Sequence, residues 1–379
     1  MSVLVKLFNM VIFPVTLVIG ILLLISGQTP NVSPLISSDL PLLGLAFPVL
    51  FLINFLLLLY WLIQLNWKTL FPAAFLFLNL GQASLYFQWN SKLDFPAPDD
   101  AVQKVKVVNY NVGLFGHFSE SWTFDSVCEI LIQQDADVIC LQEVYAKTGS
   151  LEAQMMRLKK ATNKKYAAVY KLNKKRQYGM VILSDFKIDR WKRIKFKDQS
   201  GNMAMYADLI LDSKASKDED SKEGKLRVYN VHLQSFRFNK TDYKTIEKVK
   251  NDSNLLESET DGLIQRMKMA YIKRATQVEI LHKNIQDCQL NKIVVGDFND
   301  VPVSYSYRTI STGLNDAFIE RGNGLETTYK GPFPSFRIDY VLYSDPLICE
   351  QYESFEEVPG DHKMITVKFN SGVELNPLP

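Results

Sequence analysis

Only three charged side chains, Lys6, Asp39 and Lys68, occur between Met1 and Asn90. Nearly all of the 43 Lys and Arg and the 41 Asp and Glu lie beyond that point. A stretch so poor in charge cannot cover itself with solvated side chains, so the chain divides into a part suited to a bilayer and a part suited to water. Across all 379 residues, 22% are charged and 47% apolar, which excludes a disordered or acidic low-complexity protein. The four cysteines, Cys128, Cys140, Cys288 and Cys349, are far apart and form no CxxC pair. Buried thiols are expected of them, not a disulfide frame or a zinc site.

The first 90 residues predict about three transmembrane helices. Leu7–Ile25 is interrupted only by Asn9 and Thr16, and Leu40–Ile63 only by Asn54. At a rise of 1.5 Å per residue, both suit a hydrocarbon core of about 30 Å. Leu70–Phe87 is weaker, broken by Asn79, Gln82 and Ser84, but its aromatic rim (Tyr86, Trp89) favours a third crossing. A cleaved signal peptide would not account for the two later stretches. Lys6 and Lys68 flank one side, and the loop Gly27–Asp39 has neither Lys nor Arg. The positive-inside rule then predicts an integral membrane protein with an extracytoplasmic catalytic domain.

Residues 91–103 read as a linker, and residues 104–372 as one soluble domain. Val105–Val108 and Asp137–Leu141 read as buried strands, with a helix between them carrying Phe124, Val127, Ile130 and Leu131 at helical spacing. Further strands are expected at Tyr166–Tyr170, Gly179–Leu183, Ile188–Phe196, Met203–Leu211 and Leu226–Leu233. Three more are expected at Lys292–Val295, Ile338–Tyr343 and Met364–Phe369, after a helix over Leu263–Ile285. Ser213–Gly224 is a polar charge run, read as a solvated hairpin loop. Mixed strands flanked by helices predict a two-sheet α/β sandwich.

Several of these strands end in acid, amide or imidazole side chains, where layered α/β folds carry their active-site loops. The segments are NYNVG with Asn111, CLQEV with Glu143, NVHLQ with His232, VVGDFND with Asp297 and Asn299, RIDYVL with Asp339, and PGDHKM with Asp361 and His362. Taken singly, a GDFN tetrapeptide is often an Asx turn and a DH pair an ordinary loop. Six such segments in one domain are hard to attribute to chance.

In this order the motifs resemble the endonuclease/exonuclease/phosphatase superfamily, the metal-dependent phosphodiesterases similar to deoxyribonuclease I, from about Lys104 to Phe369. The resemblance implies Mg²⁺, or Mn²⁺, held by Asn111 and Glu143 with Asp361 nearby. It implies that Asp297 orients and deprotonates the attacking water, with Asn299 steadying the water or the phosphate. His362 would touch the scissile phosphate, held in its tautomer by Asp339. His232 would be a second phosphate contact or the leaving-group acid.

The expected function is therefore a membrane-anchored, metal-dependent hydrolase of phosphodiesters or phosphomonoesters. Two alternatives stand beside it: a membrane-tethered nuclease for DNA or RNA, and a non-catalytic receptor or scaffold on the same fold. Arg157–Arg176 holds nine Lys or Arg and no acid, which suits either a polyanion or a solvated helix face and loop. The expected partners are a phosphate ester on a phospholipid headgroup or a nucleic acid, and the bilayer itself. Phe236–Gly262 is expected to be a lid or substrate loop.

Overall fold

The computed structural model of the chain describes residues 3–90, 102–117, 123–172, 177–197, 201–211, 224–238, 240–251, 257–331 and 335–374. Residues 91–101 of the expected linker, residues 213–223 of the charge run and residues 173–176 of the basic stretch lie outside them.

The apolar first 90 residues form helices α1 (Val3–Gln28), α2 (Leu40–Leu45), α3 (Phe47–Ile63), α4 (Leu70–Leu78) and α5 (Leu80–Ala83), followed by a short strand β1 (Phe87–Trp89). Three long helices were expected, and this is corrected. Among the described residues, α1 alone has the length and apolar composition to cross a bilayer. The second stretch is divided at Ala46, with Pro41 and Pro48 in the first turns of α2 and α3. There the missing proline N–H costs no helical hydrogen bond, so each proline marks a helix start. The third stretch is divided at Asn79, whose amide turns back to Phe75 O (2.9 Å).

Of the polar residues that interrupt the apolar pattern, Asn9, Thr16, Asn54 and Asn79 are buried, while Ser84 is exposed. Asn9 Nδ2 donates to Gln64 Oε1 (2.8 Å) and its Oδ1 accepts from Tyr60 OH (2.6 Å). Trp61 Nε1 donates to Thr16 Oγ1 (3.0 Å), and Asn54 Nδ2 donates to Ile19 O (3.3 Å). Leu4, Met10, Val11, Leu70 and Phe77 are exposed instead.

The remainder comprises β2 (Val102–Asn111), α6 (Phe124–Gln134), β3 (Val138–Tyr145), α7 (Leu151–Ala161), β4 (Tyr166–Lys171), β5 (Tyr178–Ser184), β6 (Lys187–Ile194), β7 (Met203–Ile210) and β8 (Lys225–His232). There follow α8 (Lys240–Asn251), α9 (Glu257–Gln286), β9 (Asn291–Asp297), α10 (Tyr305–Ser311), β10 (Asn315–Asp316), α11 (Ala317–Arg321), β11 (Asn323–Leu325), β12 (Asp339–Tyr343), β13 (Ile348–Phe355) and β14 (Met364–Glu374). They build two six-stranded sheets, ordered β13-β14-β2-β3-β5-β4 and β10-β12-β9-β8-β7-β6. This is the expected two-sheet α/β sandwich. In each sheet one central pair is parallel, β2 with β3 and β8 with β9, so the ends of these strands lie at one edge of the sandwich.

Val107, Cys140 and Ile182 of one sheet face Met205, Val228 and Val295 of the other. On the outer faces, α6 and α7 bury Val127, Leu131, Met155 and Leu158, and α9 and α10 bury Val278, Leu281 and Ile310. A polar clamp joins the sheets beneath the shared edge. Buried Gln142 Nε2 donates to Asn109 Oδ1 and Asn230 Oδ1 (2.8 Å each), while Asn230 Nδ2 donates to Leu141 O (3.1 Å) and Val181 O (2.9 Å). All four cysteines are free and buried, as expected.

The helical bundle is seated on the sandwich. Thr29 Oγ1 donates to Val303 O (3.3 Å), Asn90 Nδ2 to Gly322 O (2.8 Å), and β1 pairs antiparallel with β11. Buried Arg337 bridges the two parts, donating to Leu85 O (3.1 Å) and Asp316 Oδ2 (2.7 Å).

Candidate active site

Register sets the centre of the site. Parallel pairing places His232 beside Asp297, and antiparallel pairing places Asp339 on the other side of Asp297. Gly296 makes that approach possible: its φ is +148°, and a Cβ there would overlap the Val231 carbonyl. Any side chain at this position would push β9 off β8 and separate His232 from Asp297.

Asp297 is the hub. Its Oδ1 accepts from Asn299 N (2.8 Å) and its Oδ2 from Asn111 Nδ2 (3.0 Å). The same Oδ2 lies 3.7 Å from His362 Nε2 and 3.8 Å from His232 Nε2. Burial, and then the neighbouring Asp339 carboxylate, push the Asp297 carboxyl up to about 6. His362 Nδ1 is 2.9 Å from Asp339 Oδ2, and Asp339 N donates to Thr328 Oγ1 (3.0 Å). Burial alone would lower the His362 pKa, but the carboxylates of Asp339 and Asp297 override it and hold it well above the usual histidine value. His232 behaves oppositely: burial dominates and keeps it below that value. Its Nδ1 meets Tyr178 OH at 3.2 Å and its Nε2 lies 3.4 Å from Glu143 Oε1.

Glu143 enters the site through an irregularity. The β3–β5 register shifts between Leu141 and Val144, and Glu143 takes a positive φ of 52°. Such a bulge turns a side chain that regular alternation would direct elsewhere. Burial raises the Glu143 pKa. Asn299 and Arg237 also adopt positive φ, 53° and 54°, so three strained residues converge here.

Of the expected residues, Asn111, Glu143, His232, Asp297, Asn299, Asp339 and His362 come together. Asp361 stands apart: its side chain is exposed at the rim, lining the same cleft. Among the described residues, the ligand atoms grouped within 4.8 Å of one another belong to Asp297, Asp339 and His362, which differs from the expected set of Asn111, Glu143 and Asp361. Within that group Asp339 and His362 are already engaged with each other. The cleft nonetheless fits a hard cation. Glu143, Asp297 and Asp361 face it, Asp339 Oδ1 is buried without a hydrogen-bond partner, and Arg237 is the one Lys or Arg among its described lining residues.

Sequence reasoning missed Tyr178, Thr328 and Arg237. Tyr178 starts β5 with no motif around it, and Thr328 accepts from two neighbouring backbone amides, a role with no sequence signature. At the start of the Phe236–Gly262 segment, Phe236, Arg237 and Phe238, and then Tyr243 of α8, line a cleft of about 210 Å³ over the site. Within the basic stretch, Lys164 is taken up by Asp185 at 2.5 Å.

Fold and strand-end chemistry together define a phosphoester-processing sandwich. The chain belongs to the Endonuclease/Exonuclease/phosphatase family, whose sequence model matches residues 108–362, and it is accordingly a phosphoric ester hydrolase. A second model, described as a domain of unknown function, matches residues 7–86. Among solved structures, the chain is similar to a functionally unknown conserved protein from Enterococcus faecalis V583, with 15% identity, a TM-score of 0.50, and coverage of 70% of this chain and 98% of that one. It is also similar to an endonuclease/exonuclease/phosphatase from Bacteroides vulgatus, with 14% identity, a TM-score of 0.49, and coverage of 70% and 98%. A mannosyl-6-phosphatase from Bacteroides thetaiotaomicron VPI-5482 matches with 13% identity, a TM-score of 0.48, and coverage of 70% and 99%. No curated protein matches the sequence.

Proposed function

We propose that the protein is a membrane-anchored, divalent-metal-dependent phosphoester hydrolase that works by attack of water. The observation that carries this reading is the convergence of two imidazoles, His232 and His362, and two carboxylates, Glu143 and Asp339, around Asp297. Glu143 and Asn111, with Asp361 at the rim, would hold Mg²⁺ or Mn²⁺. A bound cation would offset the charge that develops on the phosphoryl oxygens.

The protein's own groups divide the remaining work. Asp297, held ionised above about pH 6 and oriented by Asn299 N and Asn111, accepts the water proton at Oδ2. His362, kept cationic by Asp339 and Asp297, presents its Nε2 proton to a phosphoryl oxygen. His232 is kept neutral by burial, so it serves as a hydrogen-bonding contact to phosphate, not as a strong acid. Arg237, between Phe236 and Phe238 at the mouth, supplies a charge for the incoming anion.

The purified full-length chain with Mg²⁺ or Mn²⁺ is expected to hydrolyse bis(p-nitrophenyl) phosphate or a simple phosphomonoester. EDTA should abolish turnover, and Glu143→Gln should raise the metal concentration needed for half-maximal rate at least ten-fold. A folded chain inert towards every phosphoester, or fully active in chelator, overturns the proposal. The anchor is supported by α1 and by the apolar surface of the bundle. Lys6 lies near the start of α1, and Thr29 just past its other end bonds to the sandwich at Val303 O, which supports an extracytoplasmic catalytic domain.

A further inference from the structure

The cleft over Asp297 has two unlike walls. One carries Glu143, Asp297, Asp361 and His362; the other is apolar and aromatic, with Phe236, Phe238, Tyr243 and Phe336. The rings of the second wall form a connected set: Phe236 and Phe238 lie 5.3 Å apart, Phe236 and Tyr271 5.3 Å, and Phe238 and Tyr243 5.9 Å. Phe236, Phe238 and Tyr243 are only half-buried, so they present apolar surface to whatever enters. Hydrolysis of a small soluble ester requires the first wall and gains nothing from the second.

The apolar wall also contains Leu45, which comes from the helical bundle. It ends α2, at the break before α3. The neighbouring Gly44 packs so closely on Val303 O that a Cβ there would come within 2.6 Å of it. Val303 lies on the loop that continues from Asn299, and Asp39, just before α2, pairs with Lys268 of α9. One end of the bundle is therefore built into the mouth of the catalytic cleft.

Around the same junction, several large apolar side chains point outward. Ile36 is 82% exposed, Trp89 85% and Leu325 67%. Leu325 belongs to the sandwich and is held opposite Phe87 by the β1–β11 pairing. Exposed apolar side chains thus occur on both the bundle and the catalytic domain where the two join, and such side chains suit a membrane–water interface.

We propose that the substrate is a phosphoester carried on a membrane lipid, with the apolar part next to the phosphate lying against Leu45 and the Phe236–Phe238 wall. This rests on the hydrolase reading above and specifies its substrate class. The phosphate meets Asp297 and His362 while the chains stay on the side of the bundle, so the lipid need not leave the bilayer completely. A nucleic acid, whose bases could stack on the same rings, is the competing occupant.

Calorimetry on the full-length Asp297→Asn chain, in which turnover is expected to be slowed roughly 10²-fold or more, separates these cases. The probes are monomeric dihexanoyl-phosphatidylglycerol, its deacylated counterpart glycerophosphoglycerol, and a single-stranded oligonucleotide, all with Mg²⁺. The acylated probe should bind at least ten-fold more tightly than the deacylated one. In the double variant with Leu45→Asp that ratio should collapse towards one, and with Leu45→Ala it should fall about three-fold. Equal affinity for the two glycerol probes overturns the proposal, as does tighter binding of the oligonucleotide than of the lipid. Failure of the hydrolase reading would register separately, as an absence of soluble-ester turnover by the wild-type chain.

Discussion

The bundle and the sandwich place their polar residues on opposite sides. In the bundle, Asn9, Thr16, Asn54 and Asn79 are buried while Leu4, Val11, Leu70 and Phe77 face outward. In the sandwich the buried strands are rich in Val, Ile and Leu, and Lys and Glu dominate the exposed edges. A single rule produces both arrangements, because polar groups withdrawn from water must be hydrogen-bonded. What differs is the surrounding medium implied by each surface. In lipid, apolar side chains gain nothing by hiding, and interhelical hydrogen bonds of the Trp61–Thr16 kind hold helices together. In water the same role falls to the apolar core, and buried amides such as Asn230 and Gln142 appear where two sheets must be joined beneath a reactive edge.

The largest expected effect is all-or-none. If the bundle's outer surface faces lipid, the full-length chain should stay with membranes through alkaline carbonate washing, and a reporter fused after Pro379 should be active only on the outer side. Release by the wash would remove the inverted half of the comparison.

Next in size is catalysis. Asp297→Asn and His362→Ala should each lower kcat roughly 10²–10⁴-fold with the thermal midpoint nearly unchanged, because in the proposed mechanism each acts on reacting atoms. Near-wild-type hydrolysis by either variant would mean that the hub lies elsewhere.

The smallest effects compare buried amides directly. Asn230→Leu removes one of the two acceptors of Gln142 Nε2 and the amide donor to two carbonyls in a water-excluded core, and should destabilise the sandwich by about 1–3 kcal/mol, read by denaturant unfolding. Asn54→Leu in the bundle should cost only about 0.6 kcal/mol in detergent, because its surroundings are apolar outside as well as in. Equal costs at both positions would erase the distinction.

Much of the site was legible in the sequence because chemistry-bearing residues sit directly after β-branched runs, as in VVGD and NVH. What was not legible depends on tertiary placement. Arg237 looks like any surface arginine until the chain turns at positive φ into the cleft. Strand β13 (ICEQYESF) escaped notice because an edge strand tolerates charged residues on its open side, which blurs an apolar pattern. Hydropathy located the three apolar stretches, but the breaks at Ala46 and Asn79 arise from local backbone geometry that apolar content does not register.

The position of β14 bears on how the enzyme comes into being. Ile365 pairs with Asn109, so the first strand of the sandwich has among its neighbours one of the last described segments to be synthesised. While the chain emerges, β2 keeps one edge open with its N–H and C=O groups unmatched, although the bundle has already been synthesised. His362 lies immediately ahead of β14, so the final pairing that closes the sheet also delivers the last imidazole to Asp297. Nascent chains should therefore be hydrolytically silent until translation has passed β14, and truncations that remove it should yield aggregation-prone protein, not a smaller enzyme.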